Sequence, residues 1–149
     1  MTRVQRTIDV AVPVHTAYNQ WTQFEQFPQF MDNVESVKQL DDRRLHWVAD
    51  IAGKREEWDA EITDQVPDQR VAWRSTTGVR NDGIVTFQPE GPDMTKVTVA
   101  IDAEPTGTIE KTGAATGVLD RQVEGDLERF KRFIESRGVE TGAWRGEIH

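Results

Sequence analysis

The sequence predicts an α+β fold, in which an antiparallel sheet with one apolar face is covered by a long C-terminal helix. Two hydrophobic periods carry this reading. Apolar residues alternate at every second position near the start and again through most of residues 34–104, the period of half-buried strands. From Leu119 onwards, Val123, Leu127, Phe130 and Ile134 recur at helical steps, with charged residues between them. A third observation is the Gly and Pro punctuation of the alternating stretch, which marks turns between consecutive strands.

In the first strand Val4, Ile8, Val10 and Val12 share one parity, and Arg6 alone interrupts the apolar set. Pro13 suits the opening of a helix, where its missing N–H is harmless, and Ala17, Trp21 and Phe24 follow at three- and four-residue steps. A second helical turn is expected from Phe24 to Met31, with Pro28 separating or kinking the two pieces. Leu45, Trp47, Ala49 and Ile51 then alternate with polar positions, as do Trp58, Ala60 and Ile62. A Gly53-Lys54 hairpin turn would pair Leu45 with Ile62, Trp47 with Ala60 and Ala49 with Trp58, placing both apolar sets on one face. Further strands are expected near 71–77, 84–88 and 96–103, between the turn signals Pro67-Asp68, Gly78 and Pro89-Glu90-Gly91-Pro92. Glu128 and Arg132 form a favourable i,i+4 pair on the last helix, and Gly138 is placed to stop it. The expected organisation is one domain over residues 1–138 and a tail over 139–149.

Composition excludes several function classes. Among 149 residues, 26 acidic against 18 basic side chains give a net charge of −8, which repels phosphate backbones and anionic lipid surfaces. No nucleic-acid partner is expected. The absence of cysteine removes disulfides, thiol nucleophiles, Cys-type zinc sites and iron–sulfur clusters. No apolar run approaches the ~20 residues of a membrane span, and Met1-Thr2-Arg3-Val4 does not open a signal segment, so the expectation is a soluble, cytoplasmic protein without membrane insertion. His15, His46 and His149 lack metal-ligand spacing, and His46 shares the outer parity of its strand. Neither metal nor cofactor is expected. Phosphate loops, dinucleotide fingerprints and the Ser-nucleophile elbow are absent as motifs.

What remains points inward. The inner parity of the sheet holds Trp47, Trp58, Trp73 and Phe87, and the same parity continues into polar residues: Glu56, Ser75, Thr77 and Asn81. A packed core explains the aromatics alone. Polar groups on that face must instead be paired, lie at a solvated end, or meet something bound. Thr112, Gly113, Thr116 and Gly117 on the upstream half of the last helix are small enough to leave room beneath it, or mark a frayed helix start. Aromatic walls with a few polar groups at one end are the composition of a small-molecule site. Glu56 is the carboxylate placed to act as a general acid or base, and Tyr18 either donates into the same space or lies at the surface. Trp144, in a Gly-rich closing stretch, is expected to dock on the body or on a second copy in a homodimer.

The stretch Trp21-Thr22-Gln23-Phe24-Glu25-Gln26-Phe27-Pro28-Gln29-Phe30-Met31, the later Val71-Ala72-Trp73-Arg74-Ser75, and the closing Phe130-Lys131-Arg132-Phe133-Ile134-Glu135-Ser136-Arg137-Gly138 resemble the polyketide cyclase/dehydrase (coenzyme-Q-binding-like) branch of the SRPBCC, or START-like, superfamily. The resemblance spans nearly the whole chain. It implies a helix-grip fold, a curved seven-stranded antiparallel sheet wrapped around a long C-terminal helix with a hydrophobic cavity between them, and it adds Phe27, Met31 and Thr116 to the candidate lining. The superfamily contains aromatase/cyclases, lipid and sterol carriers, quinone binders and pollen-allergen-like ligand binders. Its cyclases use Arg, Tyr or His groups in the cavity, whereas Arg55, Arg74 and Arg80 of this chain fall on outward or loop positions. No catalytic residue therefore transfers. The expectation is a binder of a polyketide-, quinone- or lipid-like molecule, with a cyclase or dehydratase using the same cavity as the alternative.

Overall fold

The computed structural model describes residues 2–51, 53–78, 80–103 and 114–148. Strand β1 (Thr2–Val10) leads into helix α1 (Val14–Trp21) and a 3-10 helix (Phe24–Gln29). Six strands follow: β2 (Val34–Gln39), β3 (Arg44–Ile51), β4 (Lys54–Val66), β5 (Arg70–Ser75), β6 (Asn81–Gly91) and β7 (Met94–Ala103). Helix α2 (Ala114–Arg137) closes the succession. The seven strands form one antiparallel sheet in the order β1-β7-β6-β5-β4-β3-β2, so the chain's first strand joins the last and β1 and β2 are the edges.

Each local expectation has a physical outcome. Pro13 stands just ahead of α1 and its carbonyl accepts from the amides of Thr16 and Ala17, at 3.0 and 3.2 Å. The break between the two helical pieces falls at Thr22-Gln23, not at Pro28, which lies inside the 3-10 helix. A 3-10 turn tolerates proline there because few of its amides have partners to lose. The β3–β4 hairpin also differs in register from the expectation. Ile51 pairs with Lys54, and Gly53, at φ 84°, lies in the turn between them. The pairs are Leu45 with Ala60, Trp47 with Trp58 and Ala49 with Glu56. A shift of two residues preserves parity, and the apolar sets still share one face. Further along β4, a bulge between Ile62 and Asp64 reverses the parity and turns Gln65 into the interior.

Helix α2 lays Val123, Leu127, Phe130 and Ile134 on the inner face of the sheet, and Gly138, at φ 73°, ends it with its amide on the Ile134 carbonyl at 2.9 Å. Burial of such side chains stabilises the fold by about 1.5–3 kcal/mol each. The helix also completes β1. Lys131 Nζ donates to the Asp9 carbonyl at 2.9 Å, and the Ala11 amide donates to Glu135 at 2.7 Å. Arg6, the charged exception on the apolar parity, meets Asp120 through Nε at 2.8 Å and Glu124 at 2.8 Å, which explains a cation facing the helix.

The tail packs on its own chain. Gln20 exchanges hydrogen bonds with Thr141, donating at 3.0 Å and accepting at 2.8 Å, while the Trp144 amide donates to Thr22 Oγ1 at 3.1 Å. Arg145 donates to Asn19 at 2.6 Å and to Asp68 at 2.8 Å. Four polar residues of this region, Thr16, Asn19, Gln20 and Thr22, are buried in consequence. Trp144 is partly buried and packs against the core of its own chain. Among the described residues no helix is long and apolar enough to cross a membrane.

Candidate functional site

Burial along the inner face is graded from one end to the other. At the α1 end Val10, Tyr18, Val71, Val85 and Val97 are all sealed. Away from it, Trp73, Ser75, Asn81, Gly83 and Ile101 on β5 to β7 are only half-buried, as are Glu56 on β4 and Leu119 on α2, although Ile62, the cross-strand partner of Trp73, is sealed. The register explains the grouping. Ala60 pairs with Ser75, Trp73 with Gly83 and Gly83 with Ile101, so these side chains form adjoining rows on one face.

The predicted wall residues divide into three groups. Trp47 and Trp58 lie side by side, rings 5.7 Å apart and within 6° of parallel, with Phe27 of the 3-10 helix against Trp47 at 5.7 Å. Trp73 lies flat over Gly83, where an added Cβ would stand 2.5 Å from the indole, and donates through Nε1 to Asn81 at 3.0 Å. Phe87 belongs to the sealed end, edge-on to Tyr18 at 5.5 Å. Met31 is half-buried and packs against the core. The side chain of Thr116 lies outside the described residues, as do those of Gly117 and of Thr112 and Gly113 before it.

The polar candidates are paired. Ser75 Oγ accepts from the Asn81 amide at 3.0 Å, which ties the β5–β6 hairpin at the half-buried end. Glu56 pairs with Lys54 at 3.3 Å and keeps 17% side-chain exposure. Tyr18 is completely buried, which overturns a surface position, and it accepts from Gln65 Nε2 at 3.1 Å while the Arg145 guanidinium stands 5.6 Å over its ring. Burial raises its phenol above the ordinary value. His46 is on the outer face as expected, held between Asp59 at 2.7 Å and Glu57 at 3.1 Å, and the two carboxylates raise its pKa.

A group absent from the sequence-based candidates is Asp126. Its side chain is 15% exposed, and Arg129 donates to it at 2.6 Å while also reaching the Phe30 carbonyl at 3.0 Å and Asp32 at 3.3 Å. Burial pushes the Asp126 carboxyl up to about 6, against the opposing pull of Arg129. The signal in the sequence was an acid next to Leu127 in the apolar stripe, indistinguishable there from a solvated flank. Asn33, next to Asp32, accepts from the Asp50 amide at 2.7 Å, and Ala49 pairs with Glu56. Among the described residues no group of three or more His, Asp or Glu side chains converges as metal ligands do.

A curved seven-stranded antiparallel sheet gripping one long C-terminal helix, with two short helices after the first strand, defines the helix-grip class of START-like proteins. The chain belongs to the family described as polyketide cyclase / dehydrase and lipid transport, whose model matches residues 10–132. It is 53% identical over 149 residues, 99% of each chain, to an uncharacterised 17.2 kDa protein of Streptomyces lincolnensis. A crystal structure from Deinococcus radiodurans superposes with a TM-score of 0.73 at 30% identity, covering 92% of this chain and 99% of that one. The Zhui aromatase/cyclase from Streptomyces sp. R1128 has the same fold, with a TM-score of 0.76 at 16% identity over 95% of this chain and 98% of that one.

Proposed function

We propose that the protein binds a hydrophobic small molecule, polyketide-, quinone- or lipid-like, between the sheet and α2 at the half-buried end. The observation that carries this is the burial gradient: the same apolar face that is sealed around Tyr18 and Val85 stays partly accessible around Trp73, Ser75 and Asn81. A protein that needed only a core would close both ends. Trp47, Trp58 and Trp73 act as walls, Phe27 and Met31 line the side below the 3-10 helix, and Ser75, Asn81 and Glu56 form a polar rim. The family's description and the aromatase/cyclase neighbour support a ligand of this kind. Binding of Nile red, a fatty acid and menadione by Trp58→Ala and Trp73→Ala tests the reading. Both variants are expected to bind at least tenfold more weakly than the parent, and unchanged binding in both sinks it.

A cyclase or dehydratase is the second reading, and Asp126 favours it. A carboxyl that titrates near 6 on the helix covering the site exchanges protons readily at neutral pH, as general acid–base chemistry needs. Glu56 on β4 is a second candidate acid, and Tyr18 stands at the sealed end. Turnover of a poly-β-ketone analogue that survives Asp126→Asn and Glu56→Gln rejects these assignments.

A further inference from the structure

We infer that the Trp47 indole N–H is the polar anchor of this site, and that the ligand presents a neutral acceptor oxygen, a carbonyl or phenol, on a planar apolar body. The inference rests on the binding reading above and adds the ligand's polar chemistry to it. Trp47 is 9% exposed between Phe27 and Trp58, and its Nε1 is buried without a hydrogen-bond partner. Trp73 is different, because Asn81 Oδ1 accepts from its indole. A buried N–H that has left water without gaining an acceptor destabilises the empty protein, and a ligand oxygen removes that penalty on binding. The other buried polar atom without a partner among the described residues, Asp68 Oδ1, sits beside Arg145 at the sealed end, away from the site.

The surroundings select the acceptor. A net charge of −8 opposes an anionic ligand and leaves a neutral oxygen as the fitting group. The flat, parallel faces of Trp47 and Trp58 match a planar ring system better than a bent chain.

The test compares 9-fluorenone with fluorene, which share a skeleton and differ by carbonyl against methylene. The wild-type protein is expected to bind fluorenone about tenfold more tightly, a difference of ~1.4 kcal/mol. In a 15N-labelled sample, fluorenone and not fluorene should shift the Trp47 indole N–H resonance downfield. Trp47→Phe retains a ring, loses the donor, and should bind the two alike. Equal wild-type affinities overturn the anchor and leave the apolar site standing, whereas failure of both probes to bind overturns the two together. Movement of the Trp58 or Trp73 indole in place of Trp47 also overturns the assignment. The wild-type comparison stands whether or not the variant folds.

Discussion

Gln65 and Ile148 exchange both backbone hydrogen bonds, 2.7 Å from the Gln65 amide to the Ile148 carbonyl and 2.9 Å in return. The last residues thus pair with a buried stretch of β4 and roof the polar side of α1. A chain ending at Gly138 is expected to lose about 3–5 kcal/mol in urea denaturation, since buried Asn19, Gln20 and Gln65 lose partners together. Its mass in size-exclusion should match the parent's, because Trp144 packs on its own chain. A truncated protein as stable as the parent refutes this role of the tail.

Asp126 makes stability depend on pH with a defined sign. Its folded value, about 6, lies above the ordinary 3.8, so its protonated form is favoured by folding. The stabilisation is present below pH 4 and is lost as pH rises from there through 6, by at most about 3 kcal/mol. Asp126→Asn should therefore equal the parent near pH 4 and exceed it at pH 7.5. Melting curves in which the Asn variant gains nothing over the parent between pH 4 and pH 7.5 would contradict the assignment.

His46 has the same sign of dependence, in a higher pH window, and a smaller effect. Its folded value is raised by Asp59 first and Glu57 second, so the favourable pairing is complete below 6.5 and disappears as pH rises through the folded value. At 36% side-chain exposure, salt screens most of it. Titration followed by NMR should place His46 above 6.5 and bring it back towards that value in Asp59→Asn. A wild-type value at or below 6.5 contradicts this.

Gly83 is required by its neighbour across the sheet. A Cβ there would meet Trp73 Cζ2 at 2.5 Å and the Ala100 carbonyl at 2.9 Å. Gly83→Ala is expected to destabilise by about 1–3 kcal/mol and to break the Trp73–Asn81 hydrogen bond. An unchanged Trp73 indole resonance in the variant would show that the ring does not lie where described.

Most of the fold was legible because it depends on parity. Leu45, Trp47, Ala49, Trp58, Ala60 and Ile62 reach one face in either register of the hairpin, so the error in register left the architecture intact. What was not legible depends on distant partners. Nothing near Asn19 or Gln20 in sequence says that Glu140 and Thr141 will bury them, and Arg6 reads as an error of pattern until Asp120 and Glu124 stand opposite. The aromatic candidates were named correctly as inward-facing, yet parity alone could not distinguish Phe87, at the sealed end, from Trp73 at the half-buried one. Asp126 escaped notice because one carboxylate beside an apolar stripe looks solvated until neighbouring elements cover it.

The pairing of Lys131 with Asp9 and of Ala11 with Glu135 gives α2 a second duty. An edge strand with free amides and carbonyls is a template for any other extended chain. While α2 is seated, two of its side chains occupy the Asp9 carbonyl and the Ala11 amide at the end of that strand. Displacement of the helix's C-terminal half would uncover the template and the apolar interior at once, which couples opening of the grip at that half to self-association. Residues 131–135 therefore tie the end of β1 and the last turns of the helix into one unit.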